Sequence, residues 1–308
     1  MKAQILELLR AEKGIVSGET LSAALGISRV SIWKHIQKLR EVGYTIQSFP
    51  TGYQLKRSPD TPFPWEFPGR ESTLFYFHEV SSTMDIAKDL ARKGCPDFTI
   101  VVAGRQKKGR GRLNRVWRSA PGGLYFTLVL RPQMPIIFSS RVSFLASMTL
   151  ARVLREMFEI EAKIKWPNDI LVNELKISGM LAEMEAEADQ LHFINIGIGI
   201  NVNNDPSLSE PKASSLKKLL GMKISRKDLL LQFLDEFEAQ MTNADLGNVV
   251  SEWKRYTITL NRQVRIVTHQ EASEGIAVDV DNNGALVLKM ADGSLKKIRY
   301  GDCFHQDE

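Results

Sequence analysis

A run of four prolines and a glycine, SPDTPFPWEFPGR at residues 58–70, most constrains how this chain folds. Proline fixes φ and removes a backbone donor, so no regular helix or central strand crosses such a stretch. It predicts an extended linker between a short leading module, 1–57, and a long body. Charge divides at the same place. Residues 1–57 carry nine Lys/Arg and four Asp/Glu, and the rest carries 32 of each, so the net charge of +5 belongs to the leading module. A small basic module on a neutral body fits a nucleic-acid-binding appendage, or a surface that is merely basic.

Local pattern favours the first. Residues 3–10 read as a short helix with Ile5, Leu6 and Leu9 on one side. Ser17 predicts an N-cap, with Thr20 and Leu21 opening a second helix that stops at Gly26. Ser28 caps a third, SRVSIWKHIQKLREVG, ending at Gly43. Its Ile32, Ile36 and Leu39 share a face, which leaves Arg29, Lys34, Gln37 and Lys38 outside. Two helices joined by a glycine turn, the second basic outside, make the helix-turn-helix pattern. TIQSF and YQL around Pro50, Thr51 and Gly52 add a hairpin, the wing. Ser28, Arg29, Ser31, Lys34 and Lys38 are the candidate contacts to operator DNA.

The body, residues 71–260, alternates strands and helices. TLFYFHEV, TIVVAG and LYFTLVL read as strands. SSTMDIAKDLARKG reads as a helix capped by Ser82 or Thr83, and FLASMTLARVLREMF as a long amphipathic helix. KIKWPNDILVN, KISGMLAEMEA and HFINIGIGINV read as three strands, neighbours in sequence order. The fold class is therefore α/β (α+β) with a mixed or antiparallel sheet. From about Asn261 to residue 308, short strands QVRIVT, GIAVDVD, GALVLKM and SLKKIRYG predict a small barrel of SH3-like type, with turns at Asn282-Asn283-Gly284 and Asp292-Gly293. Cys95 and Cys303 form no CxxC pair, so neither a disulfide framework nor a zinc site is suggested. The N-terminus lacks a signal-peptide core and the longest clean apolar run is Leu124–Leu130, which predicts a cytoplasmic protein with no membrane partner.

Between two strands lies RQKKGRGRLNRVWRS, residues 105–119, with seven basic residues and no acidic one. Such charges repel unless an anion sits among them. Arginine forks onto phosphate, and Gly109 and Gly111 are expected to take φ > 0 and to let backbone approach a ligand. The composition fits a flexible loop that orders around a polyphosphate or acyl phosphate, or a nucleic-acid-binding loop, or solvated charge. It is not a Walker loop, because no GxxxxGK[ST] occurs.

GRGRLNRVW at 109–117 resembles the glycine-arginine signature of biotin–protein ligases. SST at 81–83, Gln106, KWPNDI at 165–170, KISG at 176–179 and GIGINVN at 197–203 stand around it in the family's order, and ASSLKKLLG at 213–221 follows. With the leading module, the whole chain is similar to the bifunctional members, which join a ligase to a repressor of biotin genes. Two positions depart: Met84 stands where the family usually has asparagine, and Asn114 where glycine is more usual.

The resemblance implies a class II aminoacyl-synthetase-like central domain and a two-step reaction. Biotin and ATP give biotinyl-5′-AMP and pyrophosphate; a lysine of a biotin carboxyl carrier protein then takes the biotinyl group and releases AMP. Arg110, Lys176 and Asp169 would be catalytic. Ser82, Thr83, Met84, Gln106, Arg110, Gly111, Arg112, Lys176 and Gly179 would bind biotin. Gly109, Arg110, Arg112, Trp117, Lys165, Asn168 and Asn201 would bind ATP, with Mg²⁺ carried on the nucleotide and no protein metal cage. Asp169 reads as a base or as the brace of a turn, and Trp117 as a lid or a core residue. A ligand-bound homodimer on operator DNA is implied. A sensor-only regulator and a lipoate-type acyl ligase are the competing readings.

Overall fold

The computed structural model describes residues 1–306 other than 13, 189, 208, 244 and 245, and the side chains of Asn114 and Asn243 also lie outside the described residues. The chain forms two compact units, Met1–Ser72 and Thr73–Glu308.

In the first unit α1 (Lys2–Ala11), α2 (Gly18–Leu25) and α3 (Arg29–Glu41) close over Ile5, Leu6, Leu9, Leu21, Ile32, Ile36 and Leu39, all buried. The caps fall where serine is available. Ser17 Oγ accepts the Thr20 N–H at 2.9 Å, and Ser28 Oγ accepts that of Ser31 at 3.2 Å. Gly26 ends α2 in the left-handed region, at φ 65°. β1 (Thr45–Phe49) and β2 (Gly52–Arg57) form the wing. A Cβ on Gly52 would stand 2.1 Å from the Val16 carbonyl oxygen, so glycine is required where the wing bridges Val16 to Tyr53.

The proline-rich stretch is not the extended linker its composition predicts. Pro64–Glu66 make a 3₁₀ turn, Phe63 and Trp65 stack with ring centroids 4.6 Å apart, and Phe67 is fully buried. The buried Glu66 carboxylate accepts from Arg10 Nη2 at 2.8 Å and from the Tyr44 hydroxyl, which in turn accepts from Trp65 Nε1 at 3.0 Å. The aromatics between the prolines carry apolar area that an extended chain would leave in water, and that drives the segment onto its own module. Burial and the nearby Glu66 carboxylate push the Tyr44 phenol above its ordinary range.

The second unit is built on seven strands: β3 (Leu74–Phe77), β4 (Thr99–Ala103), β5 (Leu124–Leu130), β6 (Lys163–Lys165), β7 (Asp169–Val172), β8 (Leu175–Glu187) and β9 (Gln190–Ile200). Their order is β3-β4-β5-β9-β8-β7-β6, and only β3–β4 is parallel. A parallel pair needs a crossover, and α4 (Thr83–Arg92) supplies it. KIKWPNDILVN is two strands rather than one, because its polar centre forms the β6–β7 turn.

Alternation along β5 and β9 separates the faces. Val129 and Phe193 pack against Ala87 and Ala91 of α4. Phe126 turns the other way and meets Phe233 of α7 (Arg226–Asn243), ring centroids 5.6 Å apart. α5 (Ser139–Phe158) also packs on α7 and on α8 (Val249–Trp253), and the short α6 (Leu216–Leu220) follows β9. Ile136–Phe158 is long and apolar enough to cross a bilayer, but more than half of that window is buried inside the unit.

The chain ends in five antiparallel strands, β10 (Gln263–Val267), β11 (Ala272–Val280), β12 (Leu286–Lys289), β13 (Leu295–Ile298) and β14 (Asp302–His305), ordered β13-β12-β11-β10-β14. Gly284 and Gly293, at φ 84° and 83°, make the two expected turns. Trp166 fastens this sheet to the larger one. Its backbone N–H donates to Thr259 Oγ1 at 2.9 Å and its indole N–H to the Gly284 carbonyl at 3.2 Å.

Candidate active site

On the α4 face of the large sheet, β8 and β9 run out of side chains. Gly179 pairs with Gly199 and Leu181 with Gly197, so the three glycines share one face. A Cβ on Gly199 would lie 2.4 Å from Trp117 Cε2, one on Gly197 2.7 Å from Met84 Sδ, and one on Gly179 3.0 Å from Trp117 Cζ3. The glycines thus form a trough, roofed by Met84 and Trp117, inside a cavity of about 600 Å³. The Trp117 indole N–H is buried there without a hydrogen-bond partner.

One end of the trough is polar. Thr127 Oγ1 donates to Thr83 Oγ1 at 2.8 Å, and the Thr83 hydroxyl and N–H both donate to Gln106 Oε1, at 3.0 and 2.8 Å. Gln106 Nε2 completes the chain onto Ser119 Oγ at 2.9 Å. The α4 N-terminus also aims its partial positive charge at this end.

The other end is ionic. Lys176 Nζ lies 2.9 Å from Asp169 Oδ2, 4.0 Å from Glu210 Oε1 and 5.5 Å from the Trp117 ring centroid. Burial pulls the Lys176 ammonium down, but Asp169 and Glu210 outweigh it and leave its pKa raised, so it holds its proton. Arg112 is pulled down by burial, with Asp302 and Asp169 opposing. Asn168 Nδ2 donates to the Met180 carbonyl, and Asn201 Oδ1 accepts from Asn204 Nδ2 at 2.8 Å.

The basic loop is folded, and four of its seven charges pair with carboxylates that its own residues could not reveal. Arg105 and Lys107 meet Glu79, Arg110 meets Glu183 at 2.9 Å and Asp85 at 3.1 Å, and Arg115 meets Asp302 at 2.6 Å. Carboxylates from separate segments thus relieve repulsion that the sequence ascribes to a bound anion. Arg110, though on the cavity wall, is engaged by two carboxylates. The glycines also act differently from expectation. Neither Gly109 nor Gly111 has positive φ; Leu113 does, at 50°. Gly109 is needed because a Cβ would lie 2.4 Å from the Trp117 carbonyl oxygen.

The cavity gathers Thr83, Met84, Gln106, Arg110, Gly111, Arg112 and Trp117 from the first half of the sheet. It gathers Lys165, Asn168, Asp169, Lys176, Gly179 and Asn201 from the second. Ser82 is not on its wall but buried as the cap of α4, accepting the Met84 N–H at 3.3 Å; Gly109 also lies off the wall, under Trp117. Sequence reasoning missed Thr127, Ser119 and Asp302. It quoted Gly197 and Gly199 within GIGINVN but gave them no role, although two glycines at alternate positions of a strand are a signal of close approach.

In the first unit Arg29, Lys34 and Lys38 are exposed on α3, and Ser28 and Ser31 join their hydroxyls at 3.0 Å over its N-terminus. Val30 and Trp33, unassigned from sequence, are also exposed there, at 63% and 51%.

Comparisons with known proteins agree with this layout. Residues 76–201 match the biotin/lipoate A/B protein ligase family, 2–54 an HTH domain, and 259–306 the biotin protein ligase C-terminal domain. A biotin protein ligase from Aquifex aeolicus, solved in complex with biotin and ATP, superposes with a TM-score of 0.64 at 29% identity, over 76% of this chain and 98% of that one. The bifunctional ligase/repressor BirA of Escherichia coli is 28% identical, covering 91% of this chain and 89% of its own. The BirA of Bacillus subtilis is 35% identical, covering 98% of each. The chain belongs to this family of bifunctional ligase/repressors, built around a biotin/lipoate protein ligase domain.

Proposed function

We propose that the chain is an ATP-dependent biotin–protein ligase that also represses biotin genes through its helix-turn-helix. The observation that carries this is the glycine trough that ends in Lys176, Asp169 and the half-buried Arg112. In the first step a biotin carboxylate oxygen bonds to the α-phosphorus of ATP, and the bond to pyrophosphate breaks. Two anions must meet, so Arg112 and Lys176 counter their charge where water is excluded and attraction is strong. In the second step an acceptor lysine amine attacks the biotinyl carbonyl, the bond to AMP breaks, and Asp169 accepts the amine proton. Gln106 and Thr83 orient the ring head, while Trp117 covers the trough. Arg110 binds the loop to α4 and β8 as well as facing ligand.

Among the described residues no three His, Cys, Asp or Glu gather as a metal site. Asn168 and Asn201 offer neutral oxygens that fit Mg²⁺ carried on the triphosphate, where it would offset phosphate charge. In the same reading the central sheet is of the class II aminoacyl-synthetase-like type and the final strands an SH3-like barrel. The parts run 1–57, 58–70, 71–260 and 261–308. The acceptor is a biotin carboxyl carrier protein, the ligand-bound form is a homodimer on operator DNA, and the protein works in the cytoplasm.

The test is biotin-dependent exchange of labelled pyrophosphate into ATP. Exchange with biotin and not with lipoate, abolished in Arg112→Gly, is the expected result. Exchange with lipoate alone would make the chain a lipoate-type ligase. Biotin binding without exchange would make it a sensor-regulator.

A further inference from the structure

Asn195 is fully buried in β9, and both atoms of its side-chain amide lack a hydrogen-bond partner. Among the described residues it is the side chain whose buried donor and acceptor are both unspent. Buried amides are nearly always paired, so an orphan calls for a partner.

Its position says what that partner is. Along β9 Asn195 stands between Phe193 and Gly197 on the α4 face, with Val129 of β5 and Glu183 of β8 as its cross-strand neighbours. The next position on that face, Gly197, is the floor of the trough, and Met84 lies on it. Thr127, cross-strand from Gly197, carries the hydroxyl that joins Thr83 and Gln106. Those three side chains are bonded to one another, and Met84 offers no comparable hydrogen bond. The amide therefore lies just beyond the polar end of the trough, one strand step from its floor.

We propose that the Asn195 amide pairs with the cyclic urea of biotin, and that Met84 is the movable cover between them. The chemistry is complementary. The amide N–H donates to the urea carbonyl while its oxygen accepts a urea N–H. A dithiolane ring or a plain acyl tail has neither group and would leave the amide buried and unpaired. Methionine is unbranched, with three rotatable bonds, so it withdraws and repacks its thioether at little cost. The proposal rests on the ligase reading and adds a specificity residue in a strand not otherwise assigned to the ring head.

The test uses full-length protein, calorimetric titration with biotin and desthiobiotin, and thermal melting without ligand. Asn195→Leu, close in volume, is expected to weaken both ureas about tenfold or more. The free variant is expected to melt at the same temperature or higher, because an orphan amide has gone. Unchanged affinity in Asn195→Leu, with wild type binding biotin normally, overturns the proposal and leaves the ligase reading intact. No biotin binding by wild type overturns both. Met84→Ala tests the cover independently, should Asn195→Leu not fold. Biotin association followed by stopped flow is expected to be severalfold faster, and an unchanged rate overturns the proposal.

Discussion

Gly199 lies beneath the Trp117 ring, and alanine there would bring its Cβ within 2.4 Å of Cε2. The strand cannot retreat without breaking the Gly179–Gly199 register, so the ring must leave the trough. Gly199→Ala is expected to lower stability by roughly 1–3 kcal/mol through overpacking. It should also weaken biotin binding, read by melting and by titration; a variant that melts and binds as wild type would show that the ring is not held there. At this scale the sequence was informative wherever a motif was contiguous. KISG and KWPNDI yielded Lys176, Gly179 and Asp169, which meet across β7 and β8. It was silent where partners are distant: Thr127 and Thr83 are 44 positions apart, and Arg110 and Glu183 are 73 apart.

The basic loop is fastened at its far side by Arg115, which reaches Asp302 of β14 and lies over Phe304 at 5.6 Å. The pair is lopsided in exposure, 60% for Arg115 and 14% for Asp302, so screening leaves it a stability worth below about 1 kcal/mol. Its effect falls on the loop instead. Asp302→Asn is expected to melt within a degree or two of wild type. Trypsin should nevertheless cleave between residues 105 and 118 severalfold faster, and biotin with ATP should restore protection. Equal cleavage rates would mean the loop is held elsewhere. Elements were largely legible because periodicity and caps were: Ser17, Gly26 and Ser28 bound the helices where they stand. The proline-rich segment was not, because what folds it back is Glu66 meeting Arg10 and Tyr44, 56 and 22 positions away.

At the scale of the whole molecule the net charge of +5 lies in residues 1–57, within the first of the two units. Lys34→Ala and Lys38→Ala, both on the exposed side of α3, are expected to weaken operator binding at every salt concentration. Each should flatten the slope of log affinity against log salt by about 1, as loss of one phosphate contact does. Pyrophosphate exchange should be untouched. A slope that does not change would place the DNA contacts on another face. The five tryptophans are apportioned across the same division. Trp33 and Trp65 belong to the first unit, Trp166 and Trp253 are sealed in the core of the second, and Trp117 stands at the trough with an unbonded indole N–H near the Lys176 ammonium. Entry of a ligand changes the polarity and the electric field around that one indole most directly. The protein therefore carries its own optical gauge of site occupancy: the shift in its ultraviolet emission on binding is the signal of Trp117, and a Trp117→Phe chain should bind in the dark.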